Sequence, residues 1–222
     1  MFCDCFFCDG LFKLNEKVGL PCRNSIVYED ENVFITPDIA PVVLGHFLII
    51  SKKHVKSFGC SDDGTYNSLE LAKGFLHRSV FNGNKTIFFE HGSVIGGTST
   101  AGVCIDHAHL HVIPFIEGFD IDSIIKENLF EKVDKELANR EVLKDCAVTK
   151  QPYLFFEVSG EGQWYYPVYQ LPSQFFRLVI SNHFKTYYNW RRLFDKEESK
   201  ALFMETLELA THPGVFLKRD HY

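Results

Sequence analysis

From Ser25 to Ile50 the chain alternates short apolar runs, SIVYE, NVFIT and HFLII, with the turn-forming segments DEN and PDIAP. Strand-length apolar runs bounded by Pro, Asn and Asp predict β-strands joined by tight connections, so this stretch reads as an antiparallel meander. The period then changes. Between Asp62 and Val80, Tyr66, Leu69, Leu76 and Val80 recur at helical spacing behind an Asp-rich start, which predicts one amphipathic helix. KTIFFE and CIDHAHLHVIP predict two more strands, separated by the Gly, Ser and Thr-rich loop HGSVIGGTSTAG.

After Pro114 the texture shifts. Ile121, Ile125, Leu129, Val133 and Leu137 step by four in a charged setting and predict a long helix. PYLFFEV and QWYYPVY predict a hairpin. One further helix opens near Pro172 and another follows Asp195, where Asp195 and Glu198 hold the spacing of a cap and its return contact. The fold class expected is α+β throughout, with a boundary near residue 118 that divides the chain into 1–118 and 119–222.

Composition narrows the function classes. A chain of 222 residues with 45% hydrophobic and 23% charged content can bury a core, so disorder is not the default. A net charge of -6 argues against a broad basic surface gripping duplex nucleic acid, yet leaves room for a small anionic ligand held by a few local donors. No apolar run approaches the roughly 20 residues needed to cross a bilayer. MFCDCFFCDG lacks the basic start and apolar stretch of a signal peptide. A soluble, cytoplasmic protein with no membrane partner is expected. Seven cysteines is an odd count, and Cys3, Cys5 and Cys8 crowd together, which suits metal ligation or free thiols better than a disulfide framework. Cys22, Cys60, Cys104 and Cys146 are isolated and read as small thiols in or near the core.

The densest chemistry lies in His107-Ala108-His109-Leu110-His111. On an extended strand side chains alternate faces, so the three imidazoles point one way while Ala108, Leu110 and Val112 point the other. A single such histidine would most often be satisfied packing. Three in a row are costly to pack, because each ring carries polar nitrogens that need partners, and a phosphate or metal site needs such a row. A metal hydrolase would draw ligands from several segments. Nucleophilic catalysis fits better: a neutral imidazole whose second nitrogen donates to a fixed acceptor can attack phosphorus and form a phosphoramidate that water cleaves.

DHAHLHVIP, preceded by NVFITPDIAPVVLGHFLIISKKHV, resembles the histidine-triad (HIT) family of nucleotide hydrolases and transferases over roughly residues 4 to 118. The resemblance implies a five-stranded antiparallel sheet with helices, a nucleotide substrate, and His109 as nucleophile. His111 would contact the α-phosphate and His46 would lie beside the phosphates. Asp38, with Ile39 next to it, would bind the nucleoside at the ribose hydroxyls. Where many members carry Gln and Ser or Thr before the triad, this chain has Val103 and Cys104. Thr98, Ser99 and Thr100, or backbone amides near Gly102, are the candidates to replace those contacts. Compact members pair as dimers by extending their sheets, so a monomer and a homodimer are both open.

Cys5-Phe6-Phe7-Cys8 has the spacing that brings two sulfurs to one ion, although a lone CxxC is a weak signal. In the zinc-bearing branch of the superfamily such a pair is completed by a histidine after the GH strand and by the first triad histidine, places that His54 and His107 occupy here. The resemblance therefore implies a structural zinc held by Cys5, Cys8, His54 and His107, with Cys3 as the weaker substitute for Cys5.

The segment QPYLFFEVSGEGQWYYPVYQLPSQFFRLVISNHFKTYYNWRR, with the earlier FFEHG, is similar to the C-terminal region of CwfJ-type splicing and debranching-associated proteins. That similarity implies an α+β extension packed on the first part, and an alternative function as a non-catalytic nucleotide- or RNA-binding module. RNA or a nucleotide-modified macromolecule is thus a possible partner. Trp164, Tyr165, Tyr166, Tyr187, Tyr188 and Trp190, with Arg177, Arg191 and Arg192, are the residues that would stack a base or clamp phosphates, core packing being the simpler reading. Gln174 and Arg177, one helical turn apart, are expected to face the nucleotide cleft. All three triad histidines are kept, so catalysis leads.

Overall fold

The apolar runs of residues 25–50 form β1 (Tyr28–Glu29), β2 (Val33–Pro37) and β3 (Phe47–Ser51), an antiparallel meander as the alternation predicts. The computed structural model describes residues 5–93, 105–115, 117–129, 133–169, 174–183 and 196–211. Thr98, Ser99, Thr100, Gly102, Val103, Cys104 and Cys3 lie outside the described residues, as do Tyr187, Tyr188, Trp190, Arg191, Arg192 and Asp195. Among the described residues no helix is long and apolar enough to cross a membrane.

β4 (Thr86–Gly92) and β5 (His109–Pro114) extend the meander, and β7 (Tyr153–Val158), β8 (Gly162–Pro167) and β6 (Glu136–Leu137) continue it. The result is one eight-stranded sheet in the order β1-β2-β3-β5-β4-β7-β8-β6, with every pair antiparallel. The five strands expected of the first part are β1 to β5, and three strands from beyond residue 118 join the same sheet. Beyond β4, which closes a five-stranded arrangement of β1 to β5, the hairpin β7–β8 pairs Ile87↔Val158 through Gly92↔Tyr153 and adds residues from beyond 118 to the same sheet.

Strand parity divides the core into two layers. Val33, Ile35, Phe47, Ile49, Leu110, Val112 and Phe88 face α2 (Asp63–Phe75) and α4 (Arg140–Thr149). Asp62 caps α2 by accepting the Thr65 amide at 2.7 Å, which satisfies a first-turn donor. Asn139 caps α4 in the same way through Val142. The opposite face carries Phe34, Leu48 and Ile50 under α1 (Leu11–Val18), and Ile87, Phe89, Leu154 and Phe156 under α3 (Ile121–Asn128) and α5 (Phe175–His183). The last described helix, α6 (Glu197–Thr211), reaches the β2–β3 turn, where Thr206 Oγ1 accepts the Gly45 amide at 3.1 Å. Gly45 has φ +81°, a left-handed geometry that favours glycine, and a Cβ there would press on Phe81 and Pro114 at 3.2 and 3.3 Å.

The long helix over 121–137 is corrected to eight residues. Leu129 leaves the helical region with φ -75° and ψ 132°, and Leu137 sits in β6 with 74% exposure. A spacing of four overshoots the 3.6-residue turn by about 40° each step, so over four steps the apolar stripe drifts by roughly 160° and Leu137 cannot share the face of Ile121.

Candidate active site

The β3–β5–β4 register sets the face on which the histidines stand. Leu48 pairs with His111 and Ile50 with His109, so both imidazoles stand beside the apolar side chains that α1 covers. Phe89 of β4 lies opposite His111 and stacks on it, ring centroids 4.7 Å apart and 10° from parallel. His107 lies just before β5 and is buried.

Hydrogen bonds fix the tautomer of each ring. His109 donates Nδ1–H to the backbone carbonyl of His107 at 2.7 Å, so its Nε2 carries the lone pair, and Nε2 has no partner among the described residues. Val42 donates its amide to His46 Nδ1 at 3.2 Å, which leaves the His46 proton on Nε2, directed at His111 Nδ1 2.9 Å away. His111 therefore keeps its proton on Nε2, as a donor facing the site. Burial disfavours the charged forms. It lowers His109 to about 4 against the help of the His107 carbonyl, and lowers His46 to about 3 with His109 adding repulsion. His111 falls well below its ordinary value for the same reason, with His109, His46 and His91 as cationic neighbours that would repel its proton. At neutral pH the row is uncharged, as a nucleophilic nitrogen requires.

Asp38 follows β2 and is fully buried. Its Oδ1 accepts the Ala40 amide at 2.8 Å and its Oδ2 is held by the Arg177 guanidinium from α5. That Oδ2 lies 3.8 Å from His46 Nε2 and 3.9 Å from His111 Nδ1. Asp38, His46 and His111 thus gather as a carboxylate and two imidazoles, a set that suits a metal. The guanidinium already supplies a cation there, so the cluster reads as an ion pair rather than a second metal centre. Ile39 packs in a small apolar group with Leu20, Ala40 and Phe203 of α6. Gln174 precedes α5 with φ +64°, and its buried Oε1 has no hydrogen-bond partner among the described residues.

At the other end of the row Cys5, Cys8, His54 and His107 bring their ligand atoms within 4.8 Å of one another. Cys5 Sγ and Cys8 Sγ lie 3.4 and 3.5 Å from His107 Nδ1, and Cys8 Sγ lies 3.4 Å from His54 Nδ1. A tetrahedral ion with sulfur at about 2.3 Å and nitrogen at about 2.0–2.1 Å would set such S···N distances near ~3.6 Å. His107 donates its Nε2–H to the Ser51 carbonyl at 2.7 Å, which turns the Nδ1 lone pair toward the sulfurs. Two thiols and two imidazoles in this arrangement fit zinc.

One residue absent from the sequence reading belongs on this face. His91 lies in the FFEHG segment, and its β4 neighbour two residues back, Phe89, faces His111. The alternation of β4 was the available signal.

The chain is similar to known proteins. A family model for the HIT domain matches residues 22–73. The chain is 32% identical over 115 residues to an uncharacterized HIT-like protein from Methanocaldococcus jannaschii, covering 46% of this chain and 86% of that protein. It is 33% identical over 144 residues to an uncharacterized HIT-like protein from Borreliella burgdorferi, covering 61% of this chain and 94% of that protein. Among solved structures, a Zn-bound histidine triad family protein from Mycobacterium smegmatis matches 66% of this chain and 94% of its own at 22% identity and a TM-score of 0.39. Identical at about a third of the aligned positions to relatives whose length it nearly spans, the chain belongs to the histidine-triad (HIT) family.

Proposed function

We propose that the protein is a nucleotide hydrolase or nucleotidyltransferase acting at the α-phosphate of a nucleoside phosphate derivative: a dinucleoside polyphosphate, a nucleoside phosphoramidate or a nucleotidyl sugar. The observation that carries this reading is the His109 tautomer, with Nδ1–H fixed on the His107 carbonyl and Nε2 presenting a lone pair. Nε2 attacks the α-phosphorus, a P–N bond forms, and the bond to the leaving group breaks with its electron pair departing on that group. Water or another acceptor then attacks phosphorus and gives its proton to the leaving group or to solvent, and the P–N bond breaks with its pair returning to Nε2.

His111 Nε2–H stabilises a non-bridging oxygen during both steps, and His46 holds His111 in that tautomer. Asp38, Ile39, Gln174 and Arg177 shape the nucleoside side of the site, with Arg177 neutralising charge through its hold on Asp38. Thr100, Gly102 and Cys104 would complete the phosphate contacts. Cys5, Cys8, His54 and His107 would hold zinc, whose role when bound is to anchor the N-terminal segment and orient the strand that carries His109. Thiol ligands that must stay reduced support a cytoplasmic setting. Residues 119–222 act as an extension that supplies α5 to the first part.

Incubation with a nucleotide radiolabelled at the α-phosphate tests the reading. Label that is acid-labile and absent from His109→Asn is the expected result. Nucleotide binding without turnover or label, across adenylyl and uridylyl substrates, would replace it with the quiet nucleotide- or RNA-binding module.

A further inference from the structure

His91 has no part in the chemistry above, yet it is placed inside it. β4 and β5 are paired up to Phe89↔His111, and the same register carried two residues further sets His91 beside His109 on the same face. Residues directly opposite on antiparallel strands have Cα atoms about 5 Å apart. On its other side His91 pairs with Leu154 of β7, which fixes its backbone. It is buried, with 7% exposure, and its neighbours Phe89 and Leu154 on that face are apolar.

Its second half is fixed as firmly. The Phe176 amide, a first-turn donor of α5 with no partner within its helix, points to His91 Nε2 at 3.4 Å. The Phe176 ring lies 5.2 Å from the imidazole and 4.6 Å from Phe89. An acceptor role for Nε2 leaves the proton on Nδ1, and that donor has no acceptor among the described residues. Burial, with repulsion from His109 added, lowers the pKa of His91 to about 3, so the ring is neutral at working pH. Donors close to a reaction centre with nothing to donate to are the arrangement that stabilises charge developing on a substrate oxygen.

Resting on the nucleotidyl-transfer reading, we infer that His91 is a fourth imidazole of the catalytic site, donating Nδ1–H to a phosphoryl oxygen while His109 attacks. The covalent steps are unchanged; His91 forms a hydrogen bond and transfers no proton. α5 becomes part of the machinery, because Phe176 sets the orientation of His91 while the next residue, Arg177, holds Asp38.

Release of AMP from adenosine 5′-phosphoramidate by wild type, His91→Phe and His91→Asn tests this. Phenylalanine keeps the ring and removes the donor, whereas the asparagine amide nitrogen can take the place of Nδ1. Loss of one such donor lowers kcat by roughly a hundredfold. That loss is expected in His91→Phe with KM within about threefold, and most of it recovered in His91→Asn. In wild type labelled with ¹⁵N-histidine, saturation with AMP is expected to shift the His91 Nδ1–H resonance together with those of His109 and His111. His91→Phe within threefold of wild-type kcat, or AMP shifting His109 and His111 but not His91, overturns this inference alone. Failure of AMP to shift any imidazole overturns the nucleotidyl reading and this inference with it.

Discussion

Replacing Arg177 by Met tests whether α5 is docked on the site through charge. Asp38 is fully buried and Arg177 is 8% exposed, so the pair is out of water. In Arg177→Met the carboxylate keeps the Ala40 amide on Oδ1, but among the described residues Oδ2 retains only His46 and His111, 3.8 and 3.9 Å away and already bonded to each other at 2.9 Å. A charge stranded in this way costs about 3–5 kcal/mol, far more than the net worth of the intact pair. The unfolding equilibrium then shifts by roughly a hundredfold to several thousandfold, a sizeable share of the ~5–15 kcal/mol a domain commands. Asp38→Asn with Arg177→Met removes both charges and should recover most of the loss, giving a coupling of at least ~2 kcal/mol in a double-mutant cycle. Urea unfolding followed by circular dichroism measures it. A loss below ~1 kcal/mol in the single variant, or a double variant no more stable than the single, would refute the argument.

Glu90 on the opposite face makes a pH-dependent case. Burial raises its carboxyl to about 7 despite donors from the Phe58 amide and the Tyr153 hydroxyl, both at 2.8 Å. The folded value lies above the unfolded one, so the folded state binds the proton more tightly and stability is lost as pH rises from about 4.5 to 7. Glu90→Gln keeps an acceptor and removes that ionisation, so its stability relative to wild type should improve by about 2–3 kcal/mol between pH 5 and pH 8; a pH-independent difference would rule this out. Removing metal ligands should separate the two ends of the histidine row. Plasma emission should find about one zinc per chain in wild type and His109→Asn, and less than a few tenths in His107→Ala, with thermal stability falling only in the latter; equal zinc in both variants would count against the assignment.

What the sequence made legible was local. The alternation of β5 places His109 and His111 on one face without knowledge of any neighbour, and the spacing of Cys5 and Cys8 lets both reach one ion. The ends of elements were read less well. The four-residue steps after Ile121 suggested a helix that stops at Asn128, and α4, with only Leu143 and Cys146 fully buried, gave too little apolar signal to be seen. The remaining contacts are long in sequence: Phe176 meets His91 across 85 residues and Arg177 meets Asp38 across 139. No periodicity within either segment carries such pairings, because they depend on which strands become neighbours in the sheet.

That dependence explains why the second half matters to the site although its own residues include none of the triad. A five-stranded sheet ending at β4 would leave the strand that carries Glu90 and His91 as an open edge, a row of unpaired amides ready to meet another chain. Here β7 takes that edge over six consecutive positions, and Gly92 admits the Tyr153 ring so closely that a Cβ would come within 2.1 Å of it. Tyr153 in turn reaches the Glu90 carboxylate, and the Gly59 amide donates to its hydroxyl at 3.2 Å. Beyond Phe89, where the pairing with β5 ends, β7 alone holds the backbone of His91, and Phe176 of α5 packs on its ring. The outer edge of β4 is thus paired within this chain, and β4 itself carries a further imidazole on the face of His109.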